Sequence, residues 1–239
     1  MKDKIMKKLQ SKDLVIFVQV KKHVLNFVLK NLGINIEPWT RETNRAGDLI
    51  FTKKLIFEDD NIMNEWVFIE FGGRGQRKND PNKNIEYWFF VPIGTKLRAP
   101  VDGVVSVGFF NHTQDWGISI LQPGSWPIHT SSPWFVSYEH MINLTVKEGD
   151  VVKAGDIVGE AAPRIKTPDY EFAMVELAVW TGGGPKRCPF LFLAEDLKPI
   201  YEQKINQLAK EWEEFIGKDV YQQEDWIAPG CLLHNITER

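Results

Sequence analysis

Cysteine is scarce in this sequence. Of 239 residues only Cys188 and Cys231 are cysteines, and neither stands in a C-x-x-C pair. A thiolate zinc site is thereby excluded. The expectation is two free thiols in a reducing compartment, with one disulfide as the other option. Long apolar runs are missing too. No stretch approaches the ~20 apolar residues of a membrane span. The run LVIFV at 14–18 ends at Gln19 with no small-residue cleavage site behind it, a poor signal peptide. The expected location is the cytoplasm, with no membrane partner. An excess of one charge is also absent. Lys and Arg number 29 against 32 Asp and Glu, a net charge of −3. That leaves no basic field for nucleic acid. The GGRG at 72–75 lacks the rest of a phosphate loop and precedes no helix, so it reads as a turn.

What is present is an ordinary globular composition, 43% hydrophobic and 26% charged, with nine tryptophans. A chain of this length buries roughly 70–75% of its unfolded surface and needs no staple. Residues 13–33 read as a helix from Asp13 to Gly33. Phe17, Val20, Val24, Phe27 and Val28 fall on one face, opposite Lys21, Lys22, Asn26 and Lys30. LIFTKKLIF at 49–57 reads as two short strands or one bent one, and EWVFIEF at 65–71 as a strand. The Gly-, Asn- and Pro-rich 72–84 is a loop.

From Tyr87 to Trp180 short Val-, Ile- and aromatic-rich runs alternate with turn signals, the pattern of a β-sandwich or barrel. Leu197, Tyr201, Ile205, Leu208, Trp212 and Phe215 then outline an amphipathic helix, with Asp196 as cap and Gly217 past its end. The polar tail 218–239 is expected to pack loosely. The expected fold is mainly β with flanking N- and C-terminal helices, α+β overall. It divides into an N-terminal segment (1–60), a β domain (61–193) and a C-terminal helix and tail (194–239).

Two stretches carry a specific pattern: VPIGTKLRAPVDGVVSVG at 91–108, and VSYEHMINLTVKEGDVVKAGDIVGE at 136–160. The second contains an echo, GDVV and GDIV six residues apart, suited to two tight reversals at Gly149 and Gly155. Together they resemble the duplicated hybrid motif fold, and within it the lysostaphin-like zinc peptidoglycan endopeptidases. Pro92 to Val105 follow that family's P-x-G-T-x-x-x-A-P-x-D-G-x-V segment. Tyr138 and His140 follow its Y-x-H, and CPFLFL at 188–193 looks like its later N-P-L-x-Y-L. The resemblance covers about 84–193.

The family's zinc ligands, H-x-x-x-D and the second His of H-x-H-F-E, fall on Asn84, Trp88 and Met174, with Phe172 at the first His of that pair. Glu176 matches the family Glu. Asn, Trp and Met do not replace imidazole and carboxylate around Zn²⁺. The resemblance therefore implies a fold with its zinc site erased, no metal and no cofactor. The expected cleft holds Asn84, Trp88, His140, Phe172, Met174 and Glu176, with Trp116 at its rim. The leading function is a non-catalytic module for an unknown small ligand or protein partner, with exposed helical faces suited to a homodimer.

The alternative is a hydrolase that reuses the cleft, with His140 and Glu176, and Glu171 beside them, as acid–base groups. A relocated metal would draw on His112, Asp115, His129 and His140. A one-turn shift of the alignment would bring Asp80 or Glu86 into the old metal position. Two other families of the fold fit less well. Biotin and lipoyl carriers need an exposed Lys between Met or Asp residues, which is missing. The glucose-type phosphocarrier needs a histidine pair that Asn111-His112 and His140 match only in part.

Overall fold

A computed structural model describes residues 27–58, 63–73, 83–122, 128, 134–163 and 172–236. Eleven strands join in one antiparallel sheet. In chain order they are β1 (Phe68–Ile69), β2 (Tyr87–Pro92), β3 (Lys96–Arg98), β4 (Gly103–Phe110), β5 (Asp115–Leu121), β6 (Phe135–Ile142), β7 (Val151–Val152), β8 (Ile157–Ala161), β9 (Phe172–Trp180), β10 (Lys186–Arg187) and β11 (Asn235–Ile236). The main path runs β7-β4-β5-β6-β9-β10-β11. Strand β2 pairs with both β9 and β1, while β8 pairs with β6 and β3. The mainly-β expectation holds, and the short runs between Tyr87 and Trp180 are the strands.

The GDVV and GDIV echo forms two reversals. Gly149 and Gly155 sit at φ +82° and +98°, where an L side chain would be strained. Asp150 and Asp156 each accept from the amide three residues earlier, at 3.0 and 2.8 Å. LIFTKKLIF resolves into two short strands, Leu49–Ile50 and Phe57–Glu58, separated by a 3-10 turn at Lys53–Leu55.

The C-terminal helix α1 spans Lys198–Ile216 and ends on Gly217 in the left-handed conformation, φ +71°. Asp196 is not its cap. Leu197 takes that position without a side-chain bond, because Pro199 in the first turn sets the start. Ile205, Leu208 and Trp212 bury one face of α1 in the same core as the sheet and the N-terminal segment.

The N-terminal helix is corrected. Residues 13–26 lie outside the described residues, and 27–33 are not helical. Phe27 and Leu29 are buried and alternate with Val28 and Lys30, the period of an extended chain. Leu29 forms a parallel bridge with Leu193, with backbone bonds of 2.7 Å to Phe192 and 3.0 Å from Ala194. Gly33 does not stop a helix. A Cβ there would lie 1.5 Å from the Tyr138 hydroxyl, so glycine lets the segment close onto β6.

The tail is also corrected, since it is tied down along 220–236. The Tyr221 hydroxyl donates to the Phe68 carbonyl at 2.8 Å, and the Leu232 amide donates to the Phe71 carbonyl at 2.9 Å. Cys188 and Cys231 are not free thiols. They form a buried disulfide with Cα atoms 6.0 Å apart and a sequence separation of 43, the state that an oxidising compartment maintains. These ties are long-range pairings that local composition does not encode.

Two predictions follow from this segment. Closing a loop of this length is worth about 4 kcal/mol at most. Reduction, or Cys188→Ala with Cys231→Ala, is expected to lower the urea midpoint by an equivalent of about 2–4 kcal/mol; an unchanged midpoint would rule out the bond. The second concerns Glu70, 5% exposed, whose carboxyl accepts from the Trp226 indole at 3.3 Å. Burial raises its pKa from 4.5 to about 7, with the Glu213 charge adding to the rise. The folded state therefore binds more protons than the unfolded chain between those values. Stability should be greatest below about 4.5 as far as this group is concerned, and fall as pH rises to about 7. The span is on the order of 3 kcal/mol. Glu70→Gln should flatten that slope in melting temperature against pH.

Candidate functional site

Three adjacent strands bring the site together. In β6 and β9 Glu139 lies opposite Glu176, and in β9 and β2 Glu176 lies opposite Trp88. Directly opposed residues share a face, so Glu139, Glu176 and Trp88 form one row. The next rows, Met174 with Phe90 and Phe172 with Pro92, are apolar.

Regular alternation would turn His140 to the opposite face from Glu139. A β-bulge changes this. Between β5 and β6 the register runs Trp116 to Met141 and then Ile118 to Tyr138, three steps on β6 against two on β5. The extra residue falls at Glu139–His140, where His140 adopts φ +58°. A non-glycine residue held there costs on the order of 1–3 kcal/mol, and bulges re-aim side chains in this way. After His140 the strand leaves β9 and pairs with β8.

The re-aimed imidazole joins two carboxyls. Its Nδ1 lies 2.9 Å from Asp115 Oδ2 and its Nε2 3.6 Å from Glu176 Oε1. His140, Asp115 and Glu176 are 6%, 1% and 7% exposed. Asp115 also accepts from the Thr113 hydroxyl at 2.6 Å. A carboxylate on Nδ1 makes that nitrogen the donor, which leaves the lone pair of the neutral ring on Nε2.

The chain of polar groups continues. Glu86 bonds to the Lys186 ammonium at 2.7 Å and accepts from the Trp88 indole at 3.2 Å. Its carboxyl also interacts with Glu176. Burial pushes the Glu86 carboxyl up, but the Lys186 charge and the bonds from Glu176, Lys186 and Trp88 outweigh it, and its pKa is lowered. Lys186 is itself buried and lies 5.0 Å from the Trp180 ring centre, a cation–π contact. Asp115, His140, Glu176, Glu86 and Lys186 thus form a continuous buried series across the middle of the sheet.

The other sequence candidates fall elsewhere. Met174 is fully buried, and Phe172 packs edge-on against Phe90, 6.0 Å between ring centres. Asn84 donates its side-chain amide to the carbonyls of Glu86, Glu70 and Ile69 at 2.6, 3.0 and 3.4 Å. Its Oδ1 is buried without a partner. Trp116 follows Asp115 in the strand and so faces the other side of the sheet. There it is 40% exposed, packs on Phe109 at 4.7 Å, and lines an open groove of about 730 Å³ with Val107, Leu144 and Val146. It is not on the rim of the His140 site.

His112 is exposed, with its ring against Phe110. Asp80, His129 and Glu171 lie outside the described residues. The sequence offers Asp115 only as a candidate metal ligand and carries no local signal for Lys186. Asp115 opens a strand, and its partnership with His140 depends on a bulge that no local motif announces. The alignment shift that brought in Glu86 points to a residue the site does contain.

No family model matches the chain, and no curated protein does. Among solved structures the chain resembles lysostaphin-like peptidase domains. Lysostaphin from Staphylococcus simulans is 21% identical over 52% of this chain and 48% of its own, with a TM-score of 0.39. The chain thus spans about half the length of that protein. The catalytic domain of the prophage-encoded M23 protein EnpA from Enterococcus faecalis is 21% identical over 51% and 88%, with a TM-score of 0.38. LytU is 26% identical over 62% and 90%, with a TM-score of 0.39.

The buried ion pair yields a direct test. Lys186→Met leaves the Glu86 carboxylate without its cation and is expected to cost about 3–5 kcal/mol of unfolding free energy. Adding Glu86→Gln should restore most of it. A single variant as stable as the parent in urea would show that Lys186 does not neutralise Glu86.

Proposed function

We propose that this chain is a non-catalytic relative of the lysostaphin-like zinc endopeptidases, a module on that fold that binds a small ligand or protein partner. The observation that carries the reading is the state of the three positions where the resemblance places the family's zinc ligands. Met174 is buried in an apolar row with Phe90, the Trp88 indole donates to Glu86, and the Asn84 amide is held by backbone carbonyls. The residues present do not fit the family's zinc. A thioether, an indole and an amide supply neither the imidazole nor the carboxylate that activates a zinc-bound water. Beside them Lys186 places a fixed positive charge of its own.

A second reading has one observation in its favour. Asp115 orients His140, so the imidazole has the partner that a general base needs, with Glu176 on its other nitrogen. In that reading the chain is a hydrolase that uses His140 and Glu176 for proton transfer.

One assay separates the two. The purified chain is incubated with peptidoglycan, with added Zn²⁺ and with chelator, and newly released amino groups are counted. No release in either condition is expected. Release abolished by chelator would overturn the reading and restore zinc catalysis. Release that survives chelator and is lost in His140→Ala would establish the hydrolase in its place.

A further inference from the structure

We infer that Glu139, His140 and Glu176 form a binding site for a divalent transition-metal cation, distinct from the positions to which the family resemblance assigns zinc. One ligand atom from each of the three residues can be chosen so that all lie within 4.8 Å of one another. Bonds of about 2.0–2.2 Å to Zn²⁺ place the ligand atoms of a tetrahedral site about 3.3–3.6 Å apart. His140 Nε2 and Glu176 Oε1, 3.6 Å apart, already meet that spacing. Glu139 is half-buried at the outer side of the row, where a change of rotamer brings its carboxylate in.

A second feature, independent of this spacing, points to a cation. Asp115 is buried and holds Nδ1 of the same imidazole at 2.9 Å. A metal-binding histidine usually donates its other ring N–H to a carboxylate, which fixes the tautomer and strengthens the ligand. Here that carboxylate is in place, and the backbone of His140 is held at positive φ to face it. The donor set selects the class of ion. One imidazole and two carboxylates suit Zn²⁺, Mn²⁺ or Fe²⁺; Mg²⁺ and Ca²⁺ prefer oxygen alone, and Cu⁺ prefers sulfur.

The binding step balances without a redox partner. The cation bonds to Nε2 and the two carboxylates. Glu86 keeps its charge pairing through Lys186.

The test uses the full chain, stripped with chelator and titrated with Zn²⁺ and separately with Mn²⁺ by calorimetry. Uptake of one ion per chain is expected. His140→Ala and Glu176→Gln should each weaken it by 100-fold or more, and Asp115→Asn by about 10–100-fold. His112→Ala should leave it unchanged. Because buried variants can fail to fold, Glu139→Gln serves as the half-buried control, with circular dichroism confirming its fold, and it too should lose affinity. No stoichiometric uptake by the parent, or uptake that a folded Glu139→Gln and either buried variant retain, overturns the inference. No substrate is present, so the result is read independently of any hydrolysis.

Discussion

A lysine ammonium buried within a β-sheet, one strand in from its end, constrains everything around it. Lys186 must have a counter-charge, since an isolated buried charge is far more costly than a surface one. Glu86 supplies it at 2.7 Å. Glu86 interacts in turn with Glu176, which stands against His140 Nε2. Asp115 closes the series on Nδ1. Each group is satisfied by the next, which is how polar groups persist at this depth. Strands β5, β6, β9, β2 and β10 are tied by these side chains as well as by their backbone ladders, so register errors among them would strand a charge.

The bulge at Glu139–His140 is the geometric counterpart. Without an extra residue in β6, His140 would point away from Glu176 and the series would be cut in two. The positive φ is therefore tied to side-chain chemistry on both sides of the ring, not to a turn. It also marks the point where β6 passes from one partner strand to another, from β9 to β8. A kinked strand at a change of pairing exposes a residue to groups from several strands at once, and a histidine there can face an acid on either nitrogen.

How much of this the sequence shows follows from the range of the interactions. Local signals were legible. The Gly149 and Gly155 reversals, the strands from Lys96 to Trp180 and the helix ending at Gly217 all rest on residues within a few positions of one another. The faces of a regular strand were legible too, so Met174 and Glu176 were placed together. The failures begin where pairing is distant. Phe27 and Val28 fit a helical stripe, but the partner of Leu29 is Leu193, and the extended bridge prevailed over local periodicity. Cys231 and Tyr221 looked like parts of a loose tail because their partners, Cys188 and Phe68, lie far back in the chain. Lys186 went unnoticed for the same reason, since nothing within ten residues of it in sequence predicts a buried carboxylate.

Three neighbouring residues, Asn84, Trp88 and Met174, serve three different physical roles. Asn84 is a backbone clamp that ties the start of β2 to the Ile69 and Glu70 carbonyls. Trp88 donates its indole to Glu86. Met174 lies in an apolar row with Phe90. The titratable groups Glu139 and Glu176 share the row of Trp88, one row from Met174, and the bulged His140 joins them. Opposed strands offer a new row every second residue, so chemistry can shift along a sheet without any change of fold. The Met174 row is apolar and sealed. The Glu176 row keeps an imidazole lone pair, two carboxyls and an orienting aspartate, and any polar chemistry this sheet performs has to be sought there.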